Sequence, residues 1–161
     1  MSLFLRLFIV AVIVILDQVT KLLIDNRLEM YERIPVTGFF NITKAYNSGA
    51  AFSFLSDADG WQRPLLTGIS LVVSIALLIW LVRMSREERW LSLAIALILS
   101  GAVGNLIDRA LYGHVVDFIQ VHWWGQAYFP SFNVADSAIT CGAALLIVIS
   151  LFERTPEAES E

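Results

Sequence analysis

Residues 64–107 decide the fold: PLLTGISLVVSIALLIWLV, then RMSREER, then WLSLAIALILSGAVGNLI. The outer pieces run 19 and 18 residues without a charge, and the seven residues between them hold three arginines. A helix rises about 1.5 Å per residue and needs roughly 20 apolar residues to cross a hydrocarbon core of about 30 Å. Both pieces therefore read as membrane spans, at 64–82 and 90–107, joined by a short basic turn. Lys and Arg in short loops collect on the cytoplasmic side, which places RMSREER inside and the far ends of both spans outside.

Working outward, residues 137–152 are again free of charge, and a span of sufficient length, 134–152, draws in Asp136. Residues 7–16 are apolar too, but reach a spanning length only as 3–24, with Arg6, Asp17 and Lys21 included. Arg6 could instead be the charged region of a cleaved signal peptide. The apolar pattern resumes at Val19, Leu22, Leu23 and Ile24, and no A-x-A-like site follows the run, so the segment is taken as a span. The expected fold is all-α and membrane-embedded: one integral domain over 1–161, a bundle of four transmembrane helices, with extracytoplasmic segments at 25–63 and 108–133 and both termini cytoplasmic. The tail fits this topology poorly, since Arg154 is accompanied by Glu153, Glu157, Glu159 and Glu161. Acidic residues count little in the rule. Trp61, Trp80, Trp90, Trp123 and Trp124 all fall near span ends, as an interfacial aromatic belt requires.

Composition narrows the function. Of 161 residues, 57% are hydrophobic and 16% charged, which leaves too little polar surface for a soluble domain. A net charge of −4 argues against nucleic acid. The single cysteine, Cys141, excludes an internal disulfide and any CxxC site, and at mid-span it reads as buried, inert packing. Outside the spans, residues 39–46 are β-prone, with turn residues at Pro35, Gly38 and 47–49. They predict a small antiparallel hairpin or sheet lying on the outer membrane surface. A helical turn is expected at 57–62, and the glycines and apolar residues of 32–62 suit a lid-like element.

Ionisable groups at membrane depth are expensive and so are functional candidates. Asp17 and Lys21 are four apart on one helix face and neutralise each other; Asp108 has Arg109 beside it. Asp117 and Asp136 have no such neighbour, yet both fall at the outer membrane boundary. Two close carboxylates share a proton and can serve together as general base and general acid. The plainer alternative is that Asp136 caps its helix from the N3 position, with Asn133 as N-cap, while Asp117 is solvated in a loop. Both alternatives stand at this level. His114, Asp117, His122 and Asp136 could in principle hold zinc, although their spacing matches no recognised site. Ser48, Ser53, Ser131 and Ser137 lack a histidine–acid partner in sequence. Gly101 and Gly104 suit close helix approach, and Asn105 suits either a cross-link between helices or a substrate backbone contact. A proton-coupled carrier or channel subunit would use the same carboxylates, but nearer mid-membrane and with access to both faces.

Five blocks in order then resemble the lipoprotein signal peptidases, also called signal peptidase II: LDQVTK at 16–21, YNSGAAFSF at 46–54, GNLIDR at 104–109, VVDF at 115–118 and FNVADS at 132–137. The resemblance covers nearly the whole chain, with no departure at a position the family's chemistry uses. It implies an aspartic endopeptidase of the bacterial inner membrane with Asp117 and Asp136 as catalytic residues and no metal or other cofactor. It implies that Asn47, Gly49, Asn105, Asp108, Arg109, Asn133 and Ala135 line or shape the site, with Asp17 and Lys21 as structural support. The implied substrate is a diacylglyceryl-modified prolipoprotein, cut just before the lipid-bearing cysteine near the extracytoplasmic face. Membrane lipids and inhibitory globomycin-like cyclic peptides are the other implied partners, for a chain expected to act as a monomer.

Overall fold

The computed structural model describes residues 1–49 and 61–152. Ser53, most of the turn expected at 57–62, part of the lid-like segment and the acidic tail lie outside the described residues. Four helices are long and apolar enough to cross a membrane: α1 (Leu3–Arg27), α2 (Gln62–Arg83), α3 (Arg89–Tyr112) and α4 (Val134–Phe152). Strands β1 (Arg33–Thr37), β2 (Phe40–Asn47), β3 (Val115–Trp123) and β4 (Ala127–Tyr128) form one antiparallel sheet in the order β1-β2-β3-β4.

The bundle runs up and down. At one end Arg6, near the start of α1, donates to the carbonyls of Leu81 and Met84 at 2.9 Å and to that of Ser85, so it caps the C-terminus of α2. The Arg6 side chain is thereby buried among carbonyls that a membrane would otherwise leave unpaired. Beside it lies the apolar core of Leu81, Met84, Ile95, Ala96 and Leu99, packed against Ile9, Leu77 and Leu146. Helix α3 is the central one, in contact with α1, α2 and α4. The outward faces remain apolar: Phe4, Phe8, Ile15, Val72, Ile147 and Leu151 are all exposed, as are all five tryptophans.

Small residues bring α3 and α4 together. A Cβ on Gly101 would lie 2.2 Å from the Ala135 carbonyl oxygen, and one on Gly142 would lie 2.7 Å from that of Ala94. The same rotation of α4 turns Cys141 outward, contrary to the sequence expectation of a buried thiol: Gly142 faces α3, and its neighbour about 100° round the helix is exposed.

The sheet sits at the other end of the bundle. Its second strand was legible as a β-prone segment, but its main partner, β3, was not. Residues 115–123 read only as an outer connection, because VVDFIQVHW mixes apolar residues with Asp, Gln and His and shows no regular alternation. Helix α3 also runs past its predicted end at 107 to Tyr112, since Asp108 and Arg109 both find hydrogen-bond partners within the protein. It stops at Gly113, whose φ of 73° is the left-handed conformation that closes a helix C-terminus and turns the chain into β3.

Candidate active site

Asp117 enters from β3, opposite Ala45 of β2. Asp136 enters from the first turn of α4. They meet because Phe132, just before α4, bridges to Ile119 of β3: the Phe132 carbonyl accepts from Phe118 and Ile119 N–H at 3.0 and 2.8 Å. That bridge sets the next residue, Asn133, beside Asp117.

Asn133 starts α4 with a reciprocal cap. Its Oδ1 accepts from the Asp136 N–H at 2.9 Å, and Asp136 Oδ2 accepts from the Asn133 N–H at 3.2 Å. The expected cap is therefore present, and it does not exclude the dyad. The Asn133 amide nitrogen also donates to Asp117 Oδ1 at 2.8 Å, to the Val116 carbonyl at 3.3 Å and to Asn105 Oδ1 at 3.3 Å. Asn105 in turn donates to Asp136 Oδ1 at 2.8 Å. Two amides thus join the two carboxylates. Asn47 donates to the other Asp117 oxygen at 3.2 Å, and its own Oδ1 accepts from the Gly49 N–H at 3.0 Å.

Asp117 is buried in the strand and not solvated in a loop, with only 3% of its surface exposed. Burial, and then the nearby Asp136 charge, push its carboxyl up to about 7. Neither Asp117 nor Asp136 is ion-paired with a Lys or Arg among the described residues.

Behind the pair lies a second polar group. Lys21 bridges Asp17 at 2.8 Å and Asp108 at 2.9 Å, and donates to Asn105 Oδ1 at 2.9 Å. Asp17 also accepts the Ala135 N–H at 2.8 Å, which pins the start of α4 to α1. Asp108 was expected to pair with Arg109 but pairs with Lys21, because adjacent helical residues point about 100° apart. Arg109 instead donates to the Gly49 carbonyl at 3.2 Å. Gln18, which the sequence reading passed over, reaches Asp108 at 2.9 Å and the Gly104 carbonyl at 3.1 Å. A carboxamide inside a lipid span is itself costly, a signal that attention to ionisable groups alone does not register.

In front of Asp136 opens a cavity of about 740 Å³ between α2, α3 and the entry to α4. Leu66, Ile69, Val73, Ala102, Phe132 and Ile139 make it apolar, while Asn105, Arg109 and Asp136 provide polar groups at one side. The alternative zinc set is not brought together. His114 stacks at 3.9 Å on the Tyr46 ring, and His122 contacts Asn41 Oδ1 at 3.2 Å and the Gly125 N–H at 2.9 Å. Among the described residues no three His, Cys, Asp or Glu side chains converge as metal ligands. Ser137 is turned to the Asn133 carbonyl at 2.8 Å, and Ser131 lines the cavity.

Known proteins resemble this chain in sequence and in fold. The lipoprotein signal peptidase of Pseudomonas putida KT2440 is 55% identical over 141 residues, covering 87% of this chain and 82% of that protein. That of Pseudomonas syringae pv. tomato DC3000 is 50% identical over 155 residues, covering 96% and 89%. A solved bacterial membrane enzyme, obtained in meso at 2.3 Å resolution, superposes with a TM-score of 0.84 at 36% identity, over 97% of this chain and 93% of its own. A second, at 1.9 Å resolution, gives 0.78 at 37% identity, over 93% and 94%. The family model for signal peptidase (SPase) II matches residues 9–152, and this chain belongs to that family.

Proposed function

We propose that the chain is an aspartic endopeptidase of the bacterial inner membrane, a single peptidase domain in which Asp117 and Asp136 activate water. It removes the signal peptide from diacylglyceryl-modified prolipoproteins, cutting just before the lipid-bearing cysteine. One observation carries this reading: two acidic side chains from distant segments are joined through Asn105 and Asn133, carry no ion-paired cation among the described residues, and one of them, Asp136, borders an apolar cavity.

Asp117, with its carboxyl pushed up to about 7, holds the shared proton and hydrogen-bonds the scissile carbonyl. Asp136 sits in the first turn of α4, where the helix dipole favours a carboxylate, and takes a proton from the attacking water. The departing amine receives that proton as the C–N bond breaks. Leu66, Ile69, Val73 and Ile139 give the signal helix and acyl chains an apolar wall, while Arg109 and Asn105 face backbone or ester oxygens. A substrate already held in the membrane arrives with much of its positioning entropy lost.

The basic turn between α2 and α3 argues for cytoplasmic termini, with the sheet and the site at the outer face. Globomycin-like cyclic peptides would compete for the cavity, and the chain acts as a monomer.

The test is incubation with a diacylglyceryl-modified prolipoprotein, comparing the parent with Asp136→Asn and adding a metal chelator in parallel. Cleavage by the parent alone, indifferent to the chelator, is the expected result. Substantial turnover by Asp136→Asn removes that residue from the mechanism.

A further inference from the structure

Lys21 lies one step removed from the two aspartates, and its bonding is complete. An ammonium has three N–H donors and no acceptor. Here all three are used, on Asp17 Oδ2, Asp108 Oδ2 and Asn105 Oδ1, at 2.8, 2.9 and 2.9 Å. A donor-only group can face only the oxygen of an amide. The Asn105 oxygen must therefore point to Lys21, and its nitrogen to Asp136 Oδ1 at 2.8 Å.

The bridging Asn133 needs no such help. Its nitrogen faces the Val116 carbonyl and its oxygen faces the Asp136 N–H, so backbone groups set its orientation. The Asn105 amide bonds to side chains: its oxygen accepts from Lys21 at 2.9 Å and, at a longer 3.3 Å, from Asn133, so Lys21 is the stronger hold on its orientation. The distinction matters because an aspartate that accepts a proton becomes a donor. An unanchored Asn105 could then turn its oxygen toward Asp136 and trap that proton. With Lys21 in place the turn is blocked, and Asp136 Oδ1 remains an acceptor.

We propose that Lys21 is a positioning residue for cleavage: by holding the Asn105 oxygen it keeps the Asn105 amide donating to Asp136 throughout the reaction. The proposal rests on Asp117 and Asp136 being the reacting pair. Lys21 is buried behind the pair and reaches Asp136 through Asn105.

The test is a kinetic double-mutant cycle on the full chain, with a diacylglyceryl-modified prolipoprotein as substrate. Lys21→Met and Asn105→Ala each lower kcat about 100-fold, the order of loss for one preorganised donor, and Lys21→Met keeps KM within about threefold of the parent. The double variant is no slower than the slower single, because both remove the same bond. Losses that multiply to about 10⁴-fold, or that appear in KM with kcat retained, overturn the proposal.

Lys21→Met leaves two buried carboxylates without their cation and risks misfolding. The cycle is therefore also run on an Asp108→Asn background, where the cluster keeps the parent's net charge. Asn105→Asp gives an independent check, since it keeps an oxygen toward Lys21 and loses the N–H toward Asp136. It loses kcat as Asn105→Ala does; a kcat near that of the parent overturns the proposal. Asp117→Asn and Asp136→Asn are assayed alongside. Turnover by either overturns the reading of the reacting pair and the Lys21 proposal with it. Two inactive variants with an additive cycle overturn the Lys21 proposal alone.

Discussion

Four aspartates gather at one end of this bundle, and they fall into two pairs that differ in what holds them. Asp17 and Asp108 share the Lys21 ammonium and accept backbone N–H groups of Ala135 and Val116. Asp117 and Asp136 are held by the neutral amides of Asn47, Asn105 and Asn133. The first pair shares one cation and joins α1, α3, β3 and α4. The second has no ion-paired cation among the described residues. Both pairs are buried or nearly so, so burial alone does not mark a reactive carboxylate. The partner does.

The contrast can be broken experimentally. The largest effect is expected at the amide-held pair: Asp117→Asn or Asp136→Asn lowers cleavage at least about 10³-fold, while the melting temperature in detergent is unchanged or raised. The lysine-held pair should respond the other way. Asp108→Ala costs about 3 kcal/mol of stability by uncoupling a buried ion pair, seen as an earlier melt; an unchanged melt would erase the distinction between the pairs. Gly101→Ala drives a methyl toward the Ala135 carbonyl and loosens the α3–α4 contact that carries Asp136. A loss of about 2 kcal/mol is expected from the overpacking, measurable as a melt shift with activity falling in parallel.

The smallest expected effect is that of pH. With Asp117 at about 7, cleavage declines about tenfold per pH unit above neutrality as the shared proton is lost. The sign for stability agrees. A carboxyl raised from 3.8 in the unfolded chain stabilises the fold at low pH, and that contribution fades as pH rises through about 7. Asp117→Asn therefore raises the melting temperature more at pH 8 than at pH 5; equal shifts would place the titration elsewhere.

Much of this was legible beforehand. The charge-free runs at 64–82 and 90–107 became α2 and α3, and the 134–152 span matches α4. The Asn133–Asp136 spacing announced the cap that forms. Gly101 and Gly104 stand where α3 meets α4 and Asp17. Other residues gave no local sign. Arg6 looked like a leader's basic residue and instead caps a helix 75 residues away. Gln18 reads as an ordinary helical polar residue until Asp108, 90 positions on, is placed beside it. Asp108 and Arg109, adjacent in sequence, have different partners across the bundle.

By itself the sequence determined the number of helices able to span a membrane and the identity of the two aspartates without a charged neighbour. Hydrophobicity and helical rise are local properties, so a run of apolar residues suffices to predict them. Only the tertiary structure decided which aspartates would be held by neutral amides and which would share Lys21. The field at a carboxylate comes from groups within a few ångströms, and here those groups arrive from α1, β2, α3 and β3 together.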